Sequence, residues 1–221
     1  MKEIDSIIFD LDGTLWSTIE NCVDALNNMK KKHKDILYDI SAEMVKAQMG
    51  SPFEENAKKY YGYLGMEKAR QYAREAFTNN AKALSEKGGI LYSKVEETLK
   101  KLSEDFKLLI VSNCMEDYMQ AFLKTSHLEE YFCDYESHGK TGVSKGENIK
   151  LVMQRNALKN PIYVGDTIGD KTAADFAEIP FVYAAYGFGE VAECDYKLEG
   201  IEDLLTIVHN KKRGGEHFAE K

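Results

Sequence analysis

Four aspartates in two short runs are the side chains of this sequence best placed to do chemistry. Asp10-Leu11-Asp12-Gly13-Thr14 follows the apolar run Ser6 to Phe9, and Gly165-Asp166-Thr167-Ile168-Gly169-Asp170 follows Ile162 to Val164. Two more features have similar surroundings. Ser112-Asn113 follows Leu108 to Val111, and Lys145 stands just inside a helix start marked by Ser144 and Glu147. A carboxylate can act as a nucleophile toward phosphorus, and a second carboxyl two residues later lies on the same side of an extended strand. That second group could serve as general acid and then general base. A hydroxyl and an ammonium suit phosphate oxygens, and Gly13 permits a close approach or an unusual backbone angle. If the acids converge, two carboxylates about 5 Å apart repel by roughly 3 kcal/mol at an effective dielectric of 20. A cation relieves that repulsion. With no thiol or imidazole nearby, it should be hard and oxygen-seeking, and Mg²⁺ fits.

Those residues need strands to carry them. The runs Ser6 to Phe9, Leu108 to Val111, Ile162 to Val164 and Pro180 to Ala184, with a weaker one at Asp195 to Leu198, are short and mostly apolar. Such runs read as strands buried on both faces. Helical stretches lie between most of them, which predicts an α/β fold: a Rossmann-like parallel sheet with helices on both faces. Ligands bind beyond the carboxyl ends of the strands in such sheets, and three of the four features fall there. Helix starts are expected where S-x-x-E boxes occur, at Ser17/Glu20, Ser51/Glu54, Ser93/Glu96 and Ser144/Glu147, with Pro52 at a first helical position. Val95, Leu99 and Leu102 share one helical face. The interval 16–84 breaks the rhythm, with helical patterns and no convincing strand. It is expected to be an inserted all-α cap domain, leaving 1–15 and 85–209 as the α/β core and 210–221 as a polar tail.

The bulk numbers bound the function. The chain has 221 residues, 43% hydrophobic and 30% charged, with 29 basic and 37 acidic side chains and a net charge of −8. This is a globular composition, and the charge argues against general nucleic-acid binding. No apolar stretch approaches the roughly 20 residues of a membrane span, and residues 1–9 show no secretory signal. Cys22, Cys114, Cys133 and Cys194 are widely spread, as are the five histidines. A zinc site or disulfide framework is therefore not expected, and a cytoplasmic location is. The insertion carries 11 basic and 9 acidic residues. Solvated helix faces explain that count as well as attraction to a phosphorylated substrate does.

Together the motifs resemble the haloacid dehalogenase superfamily, in its phosphatase branch with an inserted helical cap, phosphoglycolate-phosphatase-like. The resemblance covers roughly residues 4–208. Asp10-Leu11-Asp12-Gly13-Thr14 is similar to the first motif, D-x-D-G-T. Ser112, Lys145 and Gly165-Asp166-Thr167-x-x-Asp170 are similar to the second, third and fourth. The resemblance implies Mg²⁺-dependent hydrolysis of a small phosphorylated metabolite. Asp10 would be the phosphoryl-accepting nucleophile and a metal ligand. Asp12 would be the acid and then the base, its backbone carbonyl also on the metal. Ser112 and Lys145 would hold the phosphoryl group, with backbone amides from Gly13 and Asn113. Asp166 would be the second metal carboxylate, and Asp170 would support either the metal shell or Lys145.

Several readings stay open at this stage. Asp12 favours phosphoryl transfer over dehalogenation, and the lack of a His between Thr14 and Lys32 favours hydrolysis over a sugar phosphomutase. A non-enzymatic phosphoacceptor switch is the third alternative. Ser17 and Thr18 depart from the D-G-T-L-x-D-S pattern of many relatives. Trp16 is expected either to line the entrance or to pack at a hinge. Gly50-Ser51-Pro52 resembles the loop that reads the leaving group, but also suits a plain turn. Lys46, just before it, could reach an anionic substrate or be solvated. Ala185-Tyr186-Gly187-Phe188-Gly189 resembles a stretch of the phosphoglycolate-phosphatase-like group and could equally only close the sheet. Cys114, Met115 and Tyr60 to Tyr63 read as packing. The identity of the ester and the oligomeric state are not legible.

Overall fold

Alternation along the central strands decides the layering of the molecule. The computed structural model describes residues 3–212. In β1 (Ser6–Phe9), Ile7 and Phe9 turn to one side and Ile8 to the other, and all three are fully buried. The chain then forms a two-residue β2 (Trp16–Ser17) and four helices, α1 (Ile19–Lys32), α2 (Ala42–Lys46), α3 (Phe53–Tyr61) and α4 (Met66–Lys87). It returns through β3 (Ile90–Leu91), α5 (Val95–Ser103), β4 (Lys107–Ser112), α6 (Glu116–Ser126), β5 (Asp134–Ser137) and the short α7 (His138–Thr141). The last part is α8 (Lys145–Arg155), β6 (Pro161–Gly165), α9 (Ile168–Ala177), β7 (Phe181–Ala184), β8 (Tyr196–Leu198) and α10 (Asp203–Lys212).

Six strands form one sheet in the order β5-β4-β1-β6-β7-β8, and every pairing in it is parallel. This is the expected α/β architecture. On one face, Ile7, Phe9, Leu108 and Ile110 pack against Leu99 of α5, Phe122 of α6 and Leu204 of α10. On the other, Ile8, Leu109 and Tyr163 meet Ile149 of α8 and Ala174 of α9. Both faces are covered, which is why the strands read as unbroken apolar runs. The order reverses at β1, with β4 on one side and β6 on the other. The carboxyl ends of these three strands therefore open onto one crevice.

The helices between β2 and β3 enclose a third cluster, with Leu26, Met29, Tyr61, Ala73 and Ala76 at its centre. The far end of α4 leaves it, and Ala81 and Leu84 join the main core. Trp16 and Ser17 pair antiparallel with Leu91 and Ile90. The interval 16–84 thus begins with a strand that its sequence does not announce. Two residues are too few to show any period. β5 was also unannounced, because Asp134 and Glu136 make it polar. Arg155 of α8 neutralises both carboxylates, at 2.7 and 2.9 Å, which lets a charged strand serve as a sheet edge.

Only one of the four expected capping boxes forms as such, at Ser144/Glu147. At Ser17/Glu20 the cap position is Thr18, whose side chain caps nothing and is used elsewhere. At Ser51/Glu54 the cap is Pro52 itself, so the helix starts one place later than expected. At Ser93/Glu96 the chain turns left-handed at Lys94 (φ 61°), which takes the cap position. An unforeseen box forms instead at Thr167/Asp170. The tail expected from 210 is still helical to Lys212, and the rest of it, 213–221, lies outside the described residues.

Trp16 lines no entrance. It is 1% exposed and sits edge-on against Tyr118 and Phe122, with ring centroids 5.5 and 5.0 Å away. Trp16→Ala should therefore cost about 3–5 kcal/mol of stability, the usual range for removing a buried large aromatic. Urea unfolding followed by circular dichroism measures this. A loss under about 1 kcal/mol together with altered substrate preference would return Trp16 to the entrance.

Candidate active site

Asp10 is the first residue past β1, and its amide donates to Val164 O at 2.8 Å, fixing it between β4 and β6. Its side chain is buried. Lys145 Nζ donates to Asp10 Oδ1 at 2.8 Å and to Asp170 Oδ1 at 2.6 Å. The capping box of α8 sets where Lys145 leaves the helix, and that of α9 does the same for Asp170. Asp170 is saturated. Its Oδ2 accepts from the amides of Asp166 and Thr167 and from the Thr167 hydroxyl, at 3.1, 2.9 and 2.7 Å.

Asp166 follows β6 and is fully buried. Two glycines make room for it. A Cβ on Gly13 (φ 84°) or on Gly187 would collide with the Asp166 carboxylate. The Phe188 amide donates to Asp166 Oδ2 at 2.7 Å, while Oδ1 has no partner. Gly187-Phe188 therefore hold an acid of the cluster as well as following a strand. The only sequence sign of this was the resemblance of that stretch to a known pattern.

Asp12 does not continue the strand. Thr14, Leu15 and Trp16 all direct their amides to Leu11 O, so a turn begins at Leu11. The expectation of two carboxyls on one side of an extended strand gives way to a turn that carries Asp12 toward the helical insertion. There its Oδ1 accepts from Tyr118 at 2.6 Å and from Thr18 at 3.1 Å. The two hydroxyls also lie 2.6 Å apart. Sequence reasoning missed Tyr118 altogether, since no local spacing marks a phenol on a distant helix. Thr18 stands out in the sequence only as a departure from the D-G-T-L-x-D-S pattern.

Two hollows meet here. An inner cavity of about 100 Å³ lies between the sheet and the insertion and is lined by Asp10, Asp12, Ser112, Asn113, Gly50 and Ser51, among others. An outer groove of about 850 Å³ shares Gly50, Ser51 and Asn113 and includes Lys145 and the exposed Lys46. The Asn113 side-chain Nδ2 donates to Gly50 O at 2.8 Å, joining the end of β4 to the insertion. Lys46 thus borders the outer groove and not the inner cavity. Cys22 and Asn80, which the sequence did not single out as site residues, line the inner cavity.

Electrostatics follow from burial. Burial, then the charge of Asp170, pushes the Asp10 carboxyl up to about 7 despite Lys145. Burial pushes Asp12 up to about 6, against the hydrogen bonds from Tyr118 and Thr18. Burial and the charges of Asp170 and Asp10 push Asp166 up to about 8. Burial would lower the Lys145 ammonium, but Asp10 and Asp170 outweigh it and hold it above the ordinary lysine range. One ammonium among three buried carboxylates leaves surplus negative charge.

Carboxylate oxygens of Asp10, Asp166 and Asp170 lie within 4.8 Å of one another, the one such group among the described residues. An all-oxygen donor set with an orphaned buried oxygen on Asp166 fits a hard divalent cation. Asp10 and Asp166 are the carboxylates with capacity for it, because both oxygens of Asp170 are already engaged. The Asp12 carboxyl is outside this group; the metal contact expected of Asp12 is through its backbone carbonyl.

The family model described as haloacid dehalogenase-like hydrolase matches residues 7–184. The chain is 24% identical over 227 residues to a phosphoglycolate phosphatase of Vibrio vulnificus, covering 94% of this chain and 97% of the relative. It is 27% identical over 223 residues to pyrophosphatase PpaX of Listeria innocua, covering 95% and 99%. Among solved structures, a haloacid dehalogenase-like hydrolase of Streptococcus pneumoniae superposes with a TM-score of 0.82 at 23% identity, covering 94% of this chain and 99% of that one.

The raised carboxyls give a signed expectation. Between about pH 4 and pH 8 the folded protein holds protons on Asp10 and Asp166 that the unfolded chain has released, so cation-free stability falls as pH rises through that window. A divalent cation takes the place of those protons. Added in excess, it should raise Tm by about 5 °C or more at pH 8 and by less at pH 5.5. Asp166→Asn should remove the gain. Differential scanning calorimetry checks this, and a shift that survives Asp166→Asn would place the cation elsewhere.

Proposed function

The chain belongs to the haloacid dehalogenase-like hydrolase family, and on that footing we propose that it hydrolyses small phosphate monoesters with Mg²⁺, through an aspartyl phosphate on Asp10. One observation carries this reading. Among the described residues, Asp10 is the only carboxylate that both lines the inner cavity and belongs to the three-acid group. It can therefore meet substrate and cation at once.

An Asp10 oxygen attacks phosphorus in line while the bond from phosphorus to the leaving oxygen breaks. Asp12 gives that oxygen its proton. A water then attacks the phosphoryl group, Asp12 takes the proton, and phosphate leaves with Asp10 restored. Lys145, Ser112 and the backbone amide of Asn113 hold the equatorial oxygens; the Gly13 amide, expected to join them, donates to Trp16 O at 2.9 Å instead. The Asn113 side chain is committed to Gly50, so its amide N–H is what it offers. Mg²⁺ bound by Asp10, Asp166 and the Asp12 carbonyl would neutralise charge on the phosphoryl oxygens. Asp170 acts by positioning Lys145. Among the described residues, Cys22 and no histidine stands at the inner cavity, which supports hydrolysis over return of the phosphoryl group to a sugar.

Residues 16–84 serve as a cap over the core of 1–15 and 85–209, with the β2–β3 ribbon as its hinge. Gly50 and Ser51 border the substrate. Four unpaired cysteines fit a reducing, cytoplasmic setting.

Phosphate release from a panel of phosphate esters, with and without Mg²⁺, tests the reading. Asp10→Asn should lower turnover at least about 10³-fold with an unchanged unfolding midpoint. Retained Mg²⁺-dependent turnover in that variant sinks the proposal. Tyr118→Phe removes a hydrogen bond to Asp12 and not to substrate, so kcat should fall about tenfold while KM stays put. A change confined to KM would mean that Tyr118 binds substrate instead.

A further inference from the structure

Among the described residues, the inner cavity is lined by polar groups suited to the transferring phosphate and by no cationic side chain for a second anion. Building on the phosphatase reading, we propose that the leaving group is a small alcohol without negative charge, with an apolar body and a hydrogen-bond donor that meets Asn80.

Charge comes first. Among the described residues, the only ionic side chains lining the cavity are the acids Asp10 and Asp12; no lysine, arginine or histidine does so. Lys145 reaches Asp10 from the side of the groove and is shared with Asp170. Lys46 opens onto the groove alone. A leaving group with its own carboxylate or phosphate would enter beside two acids with no cation to meet it. The walls away from the acids are instead Leu26, Val45, Met49, Phe53, Tyr60 and Phe77.

Two of the amide side chains of those walls are committed. Asn56 donates to Ser51 O at 2.9 Å and Gln48 to Ala47 O at 3.0 Å. Asn80 differs. It is 2% exposed, its Nδ2 donates to Cys22 Sγ at 3.2 Å, and its Oδ1 has no partner. Among the described cavity-lining residues it is the one with a buried side-chain atom left unsatisfied. A buried acceptor without a donor is a standing penalty, and a ligand hydroxyl or N–H removes it. Size is the last constraint. The cavity of about 100 Å³ is smaller than the roughly 150 Å³ void that takes up benzene, so only a few heavy atoms fit beyond the phosphate.

The experiment compares kcat/KM for hydroxypropyl phosphate, butyl phosphate, phosphoglycolate and pyrophosphate. Hydroxypropyl phosphate should exceed both anionic probes by at least about tenfold. In Asn80→Leu the ratio of hydroxypropyl to butyl phosphate turnover should fall about tenfold. Gln48→Lys, which puts a cation at the cavity wall, should shift preference toward phosphoglycolate. Should Asn80→Leu fail to fold, the wild-type ranking and Gln48→Lys still decide. Hydrolysis with phosphoglycolate or pyrophosphate preferred overturns this inference alone. So does an Asn80→Leu loss equal for both alkyl esters. Failure to hydrolyse any ester overturns the phosphatase reading beneath it.

Discussion

One ammonium held between two buried carboxylates is the interaction on which the rest of the site depends. Lys145 spans Asp10 and Asp170 at 2.8 and 2.6 Å, linking the end of β1 to the starts of α8 and α9. Without it, three acids would share a crevice that excludes water, at a repulsive cost that few folds carry. With it, the charge is reduced but not cancelled. The remaining deficit shows in the unpartnered oxygen of Asp166 and in the raised carboxyls of Asp10 and Asp166. Acid groups kept so close are poised for a cation, and the nucleophile proposed at Asp10 becomes fully ionised when one arrives.

The supporting structure serves that arrangement. The parallel sheet reverses its order at β1, which brings three strand ends together without a long loop. Gly13 and Gly187 clear the volume that the Asp166 carboxylate occupies. Two capping boxes place Lys145 and Asp170 in the first turn of their helices. In α9 the Asp170 carboxylate that closes the box also accepts Lys145. A helix cap and an ion pair are thus the same side chain, and loss of either alone would disturb both.

The sequence carried the sheet plainly where strands are buried on both faces, because nothing else yields short apolar runs between helices. It hid β5, whose Asp134 and Glu136 are tolerable only because Arg155 meets them. It hid β2 and β3, which are two residues each. Local capping patterns misled at Ser17 and Ser93. At the first, the threonine next to it is drawn into the Asp12 network; at the second, Lys94 turns left-handed. Asp10, Asp12, Ser112, Lys145, Asp166 and Asp170 could be singled out because each follows a legible strand or opens a legible helix. Tyr118 and Asn80 could not. Each meets its partner across the fold, 106 residues apart for Tyr118 and Asp12 and 58 for Asn80 and Cys22.

Two other contacts tie the chemistry to the insertion. Thr18 sits at the cap position of α1, the first helix of the insertion, yet its hydroxyl contacts both Asp12 and Tyr118. Asn113 at the end of β4 reaches across to Gly50. Any swing of the helices about the β2–β3 ribbon must therefore strain or release the bonds around Asp12, the proposed acid and base, and must open the wall between cavity and groove. The same displacement that admits a substrate would loosen the group that protonates its leaving oxygen, and closure would restore it. Proton transfer would then be competent only while the leaving group is enclosed by the apolar walls that select it. An acid held by its own backbone alone could not make that distinction.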